Sequence, residues 1–238
     1  MRSSICIVLP VYNEEKTLEK SVETIREFLK GKIENTWEII VIDNGSTDTT
    51  SEKGRGLSSR YPEVRYLHLA EKGRGRALKA AWRQSAAEIV AYMDIDLSTQ
   101  LTAFPELIRA VEEGYDIAIG SRFIKGSKVK RGLGRGMLSR GYNRLLKIIL
   151  KVDFSDAQCG FKAINRKVVE EVLPEVKDNA WFFDTELLYR AWKKGFRIKE
   201  VPITWTEDKD SKVKITKTVI DYLVSTMRLR SEFSSKRK

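Results

Sequence analysis

The first half of the chain alternates short apolar runs with longer segments in which apolar residues recur every three or four positions. The apolar runs predict β-strands at residues 5–12, 37–43, 64–69, 89–94 and 116–120. Helical patterns separate them at residues 47–59, 76–87 and 102–113, after a first helix with Leu18, Val22, Ile25 and Leu29 on one face. Repeated strand–helix units predict an α/β, Rossmann-like fold with a central, mostly parallel sheet flanked by helices.

The second half is less regular, and it contains neither an internal repeat nor a low-complexity linker. Its patterns predict a helix, a strand, a helix, a strand and a final helix, at residues 136–150, 160–164, 185–194, 197–205 and 216–230. We therefore expect one domain over residues 1–230, followed by a basic C-terminal tail at 231–238.

The composition narrows the class of partner. Lys and Arg number 44 against 33 for Asp and Glu, so the formal net charge is +11. Such a charge attracts nucleic acid, acidic lipid headgroups or phosphorylated substrates. No apolar run reaches the roughly 18 residues of a membrane-spanning helix, so any membrane contact should be peripheral. Cys6 and Cys159 form no disulfide framework and favour a reducing, cytoplasmic location.

Three polar clusters follow predicted strands, at residues 12–14, 43–48 and 94–98. Ligands of such sheets bind beyond the carboxyl ends of the strands, so the clusters should converge on one edge. Asp94 and Asp96 supply hard oxygen ligands suited to Mg²⁺ or Mn²⁺. A pair of this kind also occurs in solvated loops, but its position at a strand end favours a metal site.

The Asn44-Gly-Ser-Thr segment predicts a turn in which Ser46 or Thr47 caps the next helix. Capping would leave Asp43 free to accept hydrogen bonds from a nucleobase or ribose. His68 is the only histidine, which excludes metal sites and catalytic triads built on histidine. Because it lies in a predicted interior strand, we expect a packed core residue.

Residues 72–76 superficially match a dinucleotide-binding fingerprint. The third glycine is missing, with Leu78 in its place, and the first strand–helix turn has no glycine, so a dinucleotide cofactor is rejected. The glycines Gly73 and Gly75, with Lys72 and Arg76 beside a helix N-terminus, still predict a site for nucleotide phosphates.

Residues 121–151 contain no Asp or Glu. Their basic side chains are Arg122, Lys125, Lys128, Lys130, Arg131, Arg135, Arg140, Arg144, Lys147 and Lys151. An apolar helical stripe accompanies them, formed by Leu138, Tyr142, Leu145, Leu146 and Ile149. Cationic and apolar faces together indicate a helix at an anionic membrane surface. Nucleic acid is the competing partner, but no nucleic-acid-binding motif occurs, so none is expected to bind.

Five motifs, taken in order, resemble glycosyltransferase family 2, whose catalytic fold is of the GT-A type. They are Pro10-Val-Tyr12-Asn-Glu14, Asp43-Asn-Gly-Ser-Thr-Asp48, Lys72-Gly-Arg-Gly75, Asp94-Ile-Asp96 and Gly120-Ser-Arg122. The second half is similar to the polyprenyl-phosphate branch, which includes dolichyl-phosphate mannose synthases and, more closely, dolichyl-phosphate β-glucosyltransferases. That likeness rests on Ser139-Arg-Gly141, Asp156-Ala-Gln-Cys-Gly-Phe-Lys162, Trp181-Phe-Phe-Asp184-Thr-Glu186 and Val201-Pro-Ile-Thr-Trp205.

The resemblance implies roles for individual residues. The nucleoside pocket would be lined by Pro10, Tyr12, Glu14 and Asp43, with Asp94 facing the ribose and Asp96 holding the divalent cation. The acceptor phosphate would meet Arg122, Arg135 and Ser139, and Lys212 would close over the donor diphosphate. Two departures from the mannose-type pattern, Ser98 and Glu207, favour UDP-glucose over GDP-mannose and leave the second metal ligand open.

The implied reaction is an inverting transfer of a hexose to a polyprenyl (dolichyl) phosphate, at the cytoplasmic face of a membrane. A phosphate acceptor is largely dianionic at neutral pH and needs no general base. The alternative is transfer to a sugar hydroxyl for polysaccharide or glycolipid synthesis, with Asp184 as the base, although a helix cap is the favoured role for Asp184. A non-catalytic nucleotide-binding domain is a third possibility, against which the intact Asp96 argues.

Overall fold

The computed structural model describes residues 3–130, 132–207 and 215–235. The first half runs β1 (Ile5–Val11), α1 (Leu18–Lys32), β2 (Trp37–Asp43), α2 (Thr50–Arg60), β3 (Val64–His68), α3 (Arg74–Gln84), β4 (Ile89–Met93), α4 (Phe104–Glu112) and β5 (Ile117–Ser121). The second half runs β6 (Lys128–Lys130), α5 (Leu133–Leu150), β7 (Phe161–Asn165), α6 (Arg166–Glu171), α7 (Phe183–Lys193), β8 (Ile198–Pro202), β9 (Thr204–Thr206) and α8 (Ile215–Ser235).

The central sheet has seven strands in the order β3-β2-β1-β4-β7-β5-β8. Strand β7 is antiparallel to β4 and β5, and the remaining pairs are parallel. This arrangement confirms the predicted Rossmann-like, mostly parallel sheet. The antiparallel insertion of β7 has a functional consequence, because it lays the segment before β7 beside the carboxyl end of β4.

The sheet is buried on both faces, which explains why its strands are nearly continuous apolar runs. In β1, Cys6 and Val8 pack with α3 and α5 to α8, whereas Ile5 and Ile7 pack with α1, α2 and α4. The helices therefore form a layer on each side of the sheet and leave its carboxyl edge to the connecting loops.

Two differences from the predicted elements lie in the C-terminal part of the chain. The predicted strand at 197–205 is divided into β8, which joins the main sheet, and β9, which leaves it and pairs with β6. Helix α8 continues to Ser235, so residues 231–235 belong to this helix rather than to the predicted tail. Two contacts account for the extension: Glu232 pairs with Arg190, and the Phe233 ring packs edge-on against Tyr189.

The expectation for His68 was wrong. Strand β3 is an edge strand, and the His68 side chain is 47% exposed. Its Nδ1 lies 3.3 Å from Oδ2 of Asp43, so the histidine borders the end of β2 instead of packing in the core.

Both cysteines are buried and free. Throughout the described ranges, no helix combines the length and the apolar character needed to cross a bilayer.

Candidate active site

Three polar loops meet at one edge of the sheet, as the sequence predicted. Strands β2, β1 and β4 are neighbours and run parallel, so the segments after Val11, Asp43 and Met93 leave the sheet side by side. This edge is where doubly wound sheets bind their ligands.

The loops after β1 and β2 are joined by hydrogen bonds. The Asn13 N–H donates to Ser46 Oγ at 2.9 Å, and the Thr47 N–H donates to Asn13 Oδ1 at 2.8 Å. These bonds show that the predicted cap was wrong, because Ser46 and Thr47 hold the β1 loop. Helix α2 begins later, at Thr50, whose N–H donates to Asp48.

Asp43 is enclosed rather than free, which corrects the expectation that it stands ready for a nucleobase or ribose. It is fully buried, and its carboxylate accepts hydrogen bonds from the Ser46 N–H at 2.9 Å and the Tyr66 hydroxyl at 2.8 Å. Burial would raise the pKa of Asp43, but the bonds from Ser46, Tyr66 and His68 outweigh it and hold the pKa below its ordinary value. Asp43 thus stabilises the conformation of the loop after β2 through its buried hydrogen bonds.

Side chains of the β1 end form the outer rim of this edge. The Lys72 ammonium lies 4.0 Å from the centre of the Tyr12 ring and bonds the Tyr12 hydroxyl. Pro10 is half-buried at the end of β1, and the Glu14 carboxylate accepts the Thr17 hydroxyl at 2.6 Å. The structure therefore places Lys72 against Tyr12, and Pro10 and Glu14 lie on the same segment of the chain as Tyr12.

Two backbone amides at the N-terminus of α3, where a phosphate site was predicted, are already hydrogen-bonded within the protein. The N–H groups of Gly75 and Arg76 donate to the carbonyls of Ala180 and Asn179, at 3.2 and 3.1 Å. A Cβ at Gly75 would lie 2.6 Å from the Cβ of Phe183. Gly75 is therefore a packing residue that lets α3 approach α7, and its amide is already engaged.

Asp94 and Asp96 sit in a tight turn after β4. Leu97 adopts a left-handed backbone with φ of 52°, which turns the chain sharply after Asp96. The exposed Asp96 carboxylate accepts the Ser98 N–H at 2.9 Å and the Ser98 hydroxyl at 2.8 Å. The Asp94 side chain is 37% exposed, and its Oδ1 lies 2.7 Å from Nη1 of Arg74.

This turn fits a divalent cation that is held in part by its substrate. Within the described ranges, no group of three or more His, Cys, Asp or Glu side chains could hold a metal on its own. Mg²⁺ characteristically binds one or two carboxylates and completes its shell with phosphate oxygens and water. An exposed carboxylate at Asp96, beside the loops after β1 and β2, matches that donor set.

A buried cluster of charges lies behind the turn. Lys162 faces Tyr92 directly across the antiparallel pair of β4 and β7, so both side chains lie on one face of the sheet. The Lys162 ammonium donates to the Cys159 carbonyl at 2.5 Å, to Asp184 Oδ1 at 2.7 Å and to the Tyr92 hydroxyl at 3.1 Å. Tyr92 also donates to Asp184 Oδ1. Sequence analysis missed this cluster, although a lysine within a predicted apolar strand was a usable signal.

Asp184 belongs to this cluster and does not cap a helix. Helix α7 begins at Phe183 with Phe182 in the capping position, so the helix-cap hypothesis was wrong. The Asp184 side chain is 3% exposed, and its second oxygen lies 3.7 Å from Nε of Arg74. Its carboxylate therefore compensates two buried cations.

Arg74 completes the cluster. Its side chain is 12% exposed and lies between the Tyr92 and Trp181 rings, 5.1 Å from the centre of each. Burial would lower the pKa of Arg74, but Asp94, Tyr92 and Asp184 raise it well above its ordinary value. The guanidinium is therefore charged at all ordinary pH values. The sequence motif contained Arg74, yet no role was assigned to it.

Arg122, which is expected to meet the acceptor phosphate, already uses two of its side-chain nitrogens within the protein. Its Nε and Nη2 donate to the Asp156 carboxylate at 2.7 and 2.8 Å, and both side chains are buried. Burial would lower the pKa of Arg122, but Asp156 raises it above its ordinary value. The two coplanar donors are thus used within the protein, and Nη1 is the nitrogen outside this pair.

The remaining predicted acceptor residues, Arg135 and Ser139, lie on α5. Ser139 is half-buried in α5, and its carbonyl accepts the Asn143 side chain at 3.0 Å. Arg135 lies in the first turn of α5, but its side chain is outside the described residues, and so is Lys212.

Most of the predicted apolar stripe on α5 faces inward, but Leu138 is exposed. Leu146 is buried, and Tyr142 and Ile149 pack against the core. The exposed large apolar side chains of α5 are Met137, Leu138 and Ile148. The exposed basic side chains Arg140, Arg144 and Lys147 accompany them, so a mixed apolar and cationic surface exists. Of the predicted apolar stripe it includes Leu138, and Met137 and Ile148 are its other apolar members.

The amino-acid sequence of this chain is similar to those of known glycosyltransferases. Glycosyltransferase AglD of Haloferax volcanii is 37% identical over 222 residues, which cover 91% of this chain and 35% of the relative. Dolichyl-phosphate beta-glucosyltransferase ALG5C of Trichomonas vaginalis is 32% identical over 88% of this chain and 66% of the relative. Dolichol-phosphate mannosyltransferase of Pyrococcus furiosus is 34% identical over 94% and 63%. The chain thus spans between about a third and two thirds of these relatives.

The fold has solved counterparts. A glucosyl-3-phosphoglycerate synthase from Mycobacterium tuberculosis, solved with Mn²⁺, UDP-glucose and phosphoglyceric acid, gives a TM-score of 0.69 at 17% identity, over 96% of this chain and 80% of that protein. This likeness confirms the GT-A fold. The sequence profile described as glycosyl transferase family 2 matches residues 6–173, well over half of the sequence. The chain therefore belongs to glycosyl transferase family 2.

Proposed function

We propose that the protein is an inverting, metal-dependent hexosyltransferase, and that residues 1–230 act as one catalytic domain. It moves a hexose from a nucleoside diphosphate sugar to the phosphate of a polyprenol such as dolichol. UDP-glucose is the favoured donor, with GDP-mannose next. Two relatives with 32% and 34% identity are named for dolichyl- or dolichol-phosphate glycosylation, which supports this acceptor.

The observation that carries the proposal is the convergence of the β1, β2 and β4 loops on one edge. Tyr12 and Lys72 offer an aromatic ring and a cation for a nucleotide, and Asp96 lies on the loop after the neighbouring strand. A nucleoside diphosphate sugar presents a base, a ribose and a diphosphate in that order, so one such edge can hold all three.

A divalent cation, Mg²⁺ or Mn²⁺, would neutralise the negative charge of the departing nucleoside diphosphate. Asp96 would hold it, with Asp94 beside it, and Lys212 is expected to close over the same diphosphate. The protein's own task is then to orient the acceptor in line with the anomeric carbon, and a single displacement inverts the configuration there.

The surroundings of Asp184 support a phosphate acceptor over a sugar hydroxyl. A phosphate monoester, with a second pKa of about 6, attacks without losing a proton to the protein. A hydroxyl would need a base, but the Asp184 carboxylate is engaged by Lys162 and Tyr92.

We propose that Arg122, through Nη1, binds the acceptor phosphate with Arg135 and Ser139.

We also propose that the protein meets its acceptor at an anionic membrane surface, as a peripheral protein on the cytoplasmic face. Met137 and Ile148 are 68% and 67% exposed, and their spacing of three helical turns places them on one face of α5. Arg144 lies between them on that face and is also exposed. Apolar and cationic side chains on one face suit an anionic bilayer.

Incubation with labelled sugar donors tests the function. UDP-[¹⁴C]glucose and GDP-[¹⁴C]mannose are each supplied with dolichyl phosphate and Mn²⁺, and the lipid phase is extracted. We expect glucose to enter a lipid that releases it in mild acid, and Asp96→Asn to abolish the transfer. A stable, water-soluble glycoside would instead indicate a hydroxyl acceptor.

Thermal shifts test the donor separately, because a bound ligand raises the melting temperature by mass action. We expect UDP with Mn²⁺ to raise it more than GDP or dTDP does. A larger shift with GDP would assign the donor to GDP-mannose.

A further inference from the structure

Arg74 connects the Asp94-Ile-Asp96 turn to the buried charges behind it. Its Nη1 lies 2.7 Å from Asp94 Oδ1, and its Nε lies 3.7 Å from Asp184 Oδ2. The arginine is almost enclosed, whereas Asp94 is 37% exposed. The ion pair therefore stands at the boundary between the protein interior and the open edge of the site.

The charges make Arg74 the counter-ion of Asp94. Lys162, the other cation of the cluster, is fully buried, and its ammonium is surrounded by Asp184, Tyr92 and the Cys159 carbonyl. Without Arg74, two carboxylates would share one cation that already bonds Asp184. Asp94 would then carry an uncompensated charge beside the site.

Gly160 makes room for this ion pair. A Cβ at Gly160 would overlap Asp94 Oδ2 and lie 2.7 Å from Arg74 Nη2. The Gly160 carbonyl also accepts the Asp94 N–H at 3.2 Å. The side chains of Arg74 and Asp94 therefore occupy the space that any larger residue at position 160 would need, and the glycine fixes where the pair lies.

We infer that Arg74 is a positioning residue that holds Asp94 against Gly160 and so keeps this carboxylate out of the coordination shell of the cation that Asp96 is proposed to hold. A guanidinium 2.7 Å from a carboxylate oxygen repels a second cation from that oxygen. The inference rests on the proposed function for the cation itself. It gives a physical reason for the different roles that the family resemblance implies for Asp94 and Asp96, namely the ion pair of Asp94 with Arg74.

Substitutions of Arg74 test the inference through metal binding as well as activity. Mn²⁺ binding is measured by electron paramagnetic resonance in the presence of UDP, without acceptor. We expect Arg74→Met to bind Mn²⁺ as tightly as the parent or several-fold more tightly, since a positive charge is removed and Asp94 is released. Its kcat should nevertheless fall by about 10- to 100-fold, because Asp94 is no longer held in place.

Two further variants calibrate this result. Arg74→Lys keeps the charge but not the planar donor group, so its kcat should lie between those of the parent and Arg74→Met. Arg83→Met removes an exposed arginine from the last turn of the same helix and should change neither quantity. Weaker Mn²⁺ binding in Arg74→Met, or a kcat equal to that of the parent, would overturn the inference.

A thermal unfolding cycle of Arg74→Lys and Asp94→Asn serves if Arg74→Met does not fold. The double variant should lose less melting temperature than the two single losses added together, because each single change weakens the same ion pair. Additive losses would refute the pairing. If the parent binds no Mn²⁺, the proposed metal dependence fails, while this cycle still decides whether Arg74 positions Asp94.

Discussion

Arg122 and Asp156 are joined by three hydrogen bonds: the Arg122 N–H and Nε donate to Asp156 Oδ2 at 3.0 and 2.7 Å, and Nη2 donates to Oδ1 at 2.8 Å. The pair ties the end of β5 to the loop between α5 and β7. The next residue of that loop, Ala157, donates its N–H to Asn143 of α5 at 3.0 Å. The proposed acceptor residues on β5 and α5 are thereby held in one frame.

Removing the carboxylate of this pair should unfold the protein more easily. In Asp156→Asn, the buried Arg122 loses its counter-charge, and we expect the free energy of unfolding to fall by about 3 kcal/mol. Urea unfolding followed by circular dichroism measures the loss. Asp153→Asn is the matched control, because this exposed aspartate lies in the same loop and should cost at most about 0.5 kcal/mol. Equal losses in the two variants would contradict the prediction.

Asp96→Asn should nearly abolish transfer and leave the fold intact, because a neutral amide is a poor ligand for a hard cation. We expect kcat to fall by at least about 100-fold, with an unchanged melting temperature in the absence of metal. Ser98→Ala is the control for the two hydrogen bonds that Asp96 accepts from Ser98 and should cost far less. Most activity remaining in Asp96→Asn at saturating Mn²⁺ would exclude this carboxylate as the metal ligand.

The strands were predictable because their physical cause is local. A parallel strand covered on both faces is a continuous apolar run, so β1 and β2 were located to within one residue. The direction of β7 was not predictable, since Phe161 pairs with Met93 only because the preceding segment returns the chain along the sheet. Similarly, β9 left the main sheet to pair with β6, and the local pattern at 197–205 contains no sign of that partner.

The candidate site was predicted in its location but not in its internal bonds. Strand ends identified Asp43, Asp94 and Asp96 from the sequence. The partners that decide what each does come from distant positions: Tyr66 for Asp43, and Arg74 for Asp94. Such pairs form only when separate elements pack together. Two side chains that looked free in the sequence are therefore engaged in the structure: Asp43 is enclosed, and Asp94 is paired with Arg74.

Asp43 should make stability depend on pH in the acid range. Its pKa is lowered in the folded protein, so its contribution is fully present above the unfolded value of about 3.9 and is lost as pH falls through the folded value. Asp43→Asn removes this contribution. The difference in unfolding free energy between parent and variant should therefore be largest near pH 7 and shrink below about pH 4. A difference that is constant between pH 7 and pH 3 would show that the charge of Asp43 is not what matters.

A comparison of Asp184→Asn with Lys162→Met separates charge compensation from base catalysis. Each variant breaks the same buried ion pair, whose atoms are 2.7 Å apart, and should lose about 3 kcal/mol of stability. Only Asp184→Asn also removes a possible base. If the acceptor is a phosphate, the folded fractions of both variants should retain similar kcat values. A collapse of turnover confined to Asp184→Asn would favour the hydroxyl acceptor.

The basic surface should bind anionic membranes by charge. Lys128, Lys130 and Lys147 are exposed, and each contributes roughly 1 kcal/mol near an anionic surface, an attraction that salt screens. Their replacement by Gln should weaken sedimentation with phosphatidylserine vesicles at low salt and raise the KM for dolichyl phosphate. Activity on a short, water-soluble polyprenyl phosphate should be nearly unchanged.

A matched set of substitutions tests whether position, rather than total charge, governs this binding. Lys20, Lys30 and Lys32 are exposed on α1, which packs on the opposite face of the sheet from α5, and their replacement by Gln removes the same three charges. Vesicle binding should survive this change.

Arg122→Ala should impair transfer to both the membrane-bound and the soluble acceptor, because we assign Arg122 to the acceptor phosphate itself. Equal loss of vesicle binding in the two lysine sets, or harm from Arg122→Ala only at the membrane, would contradict the division of this surface into docking and acceptor-binding parts.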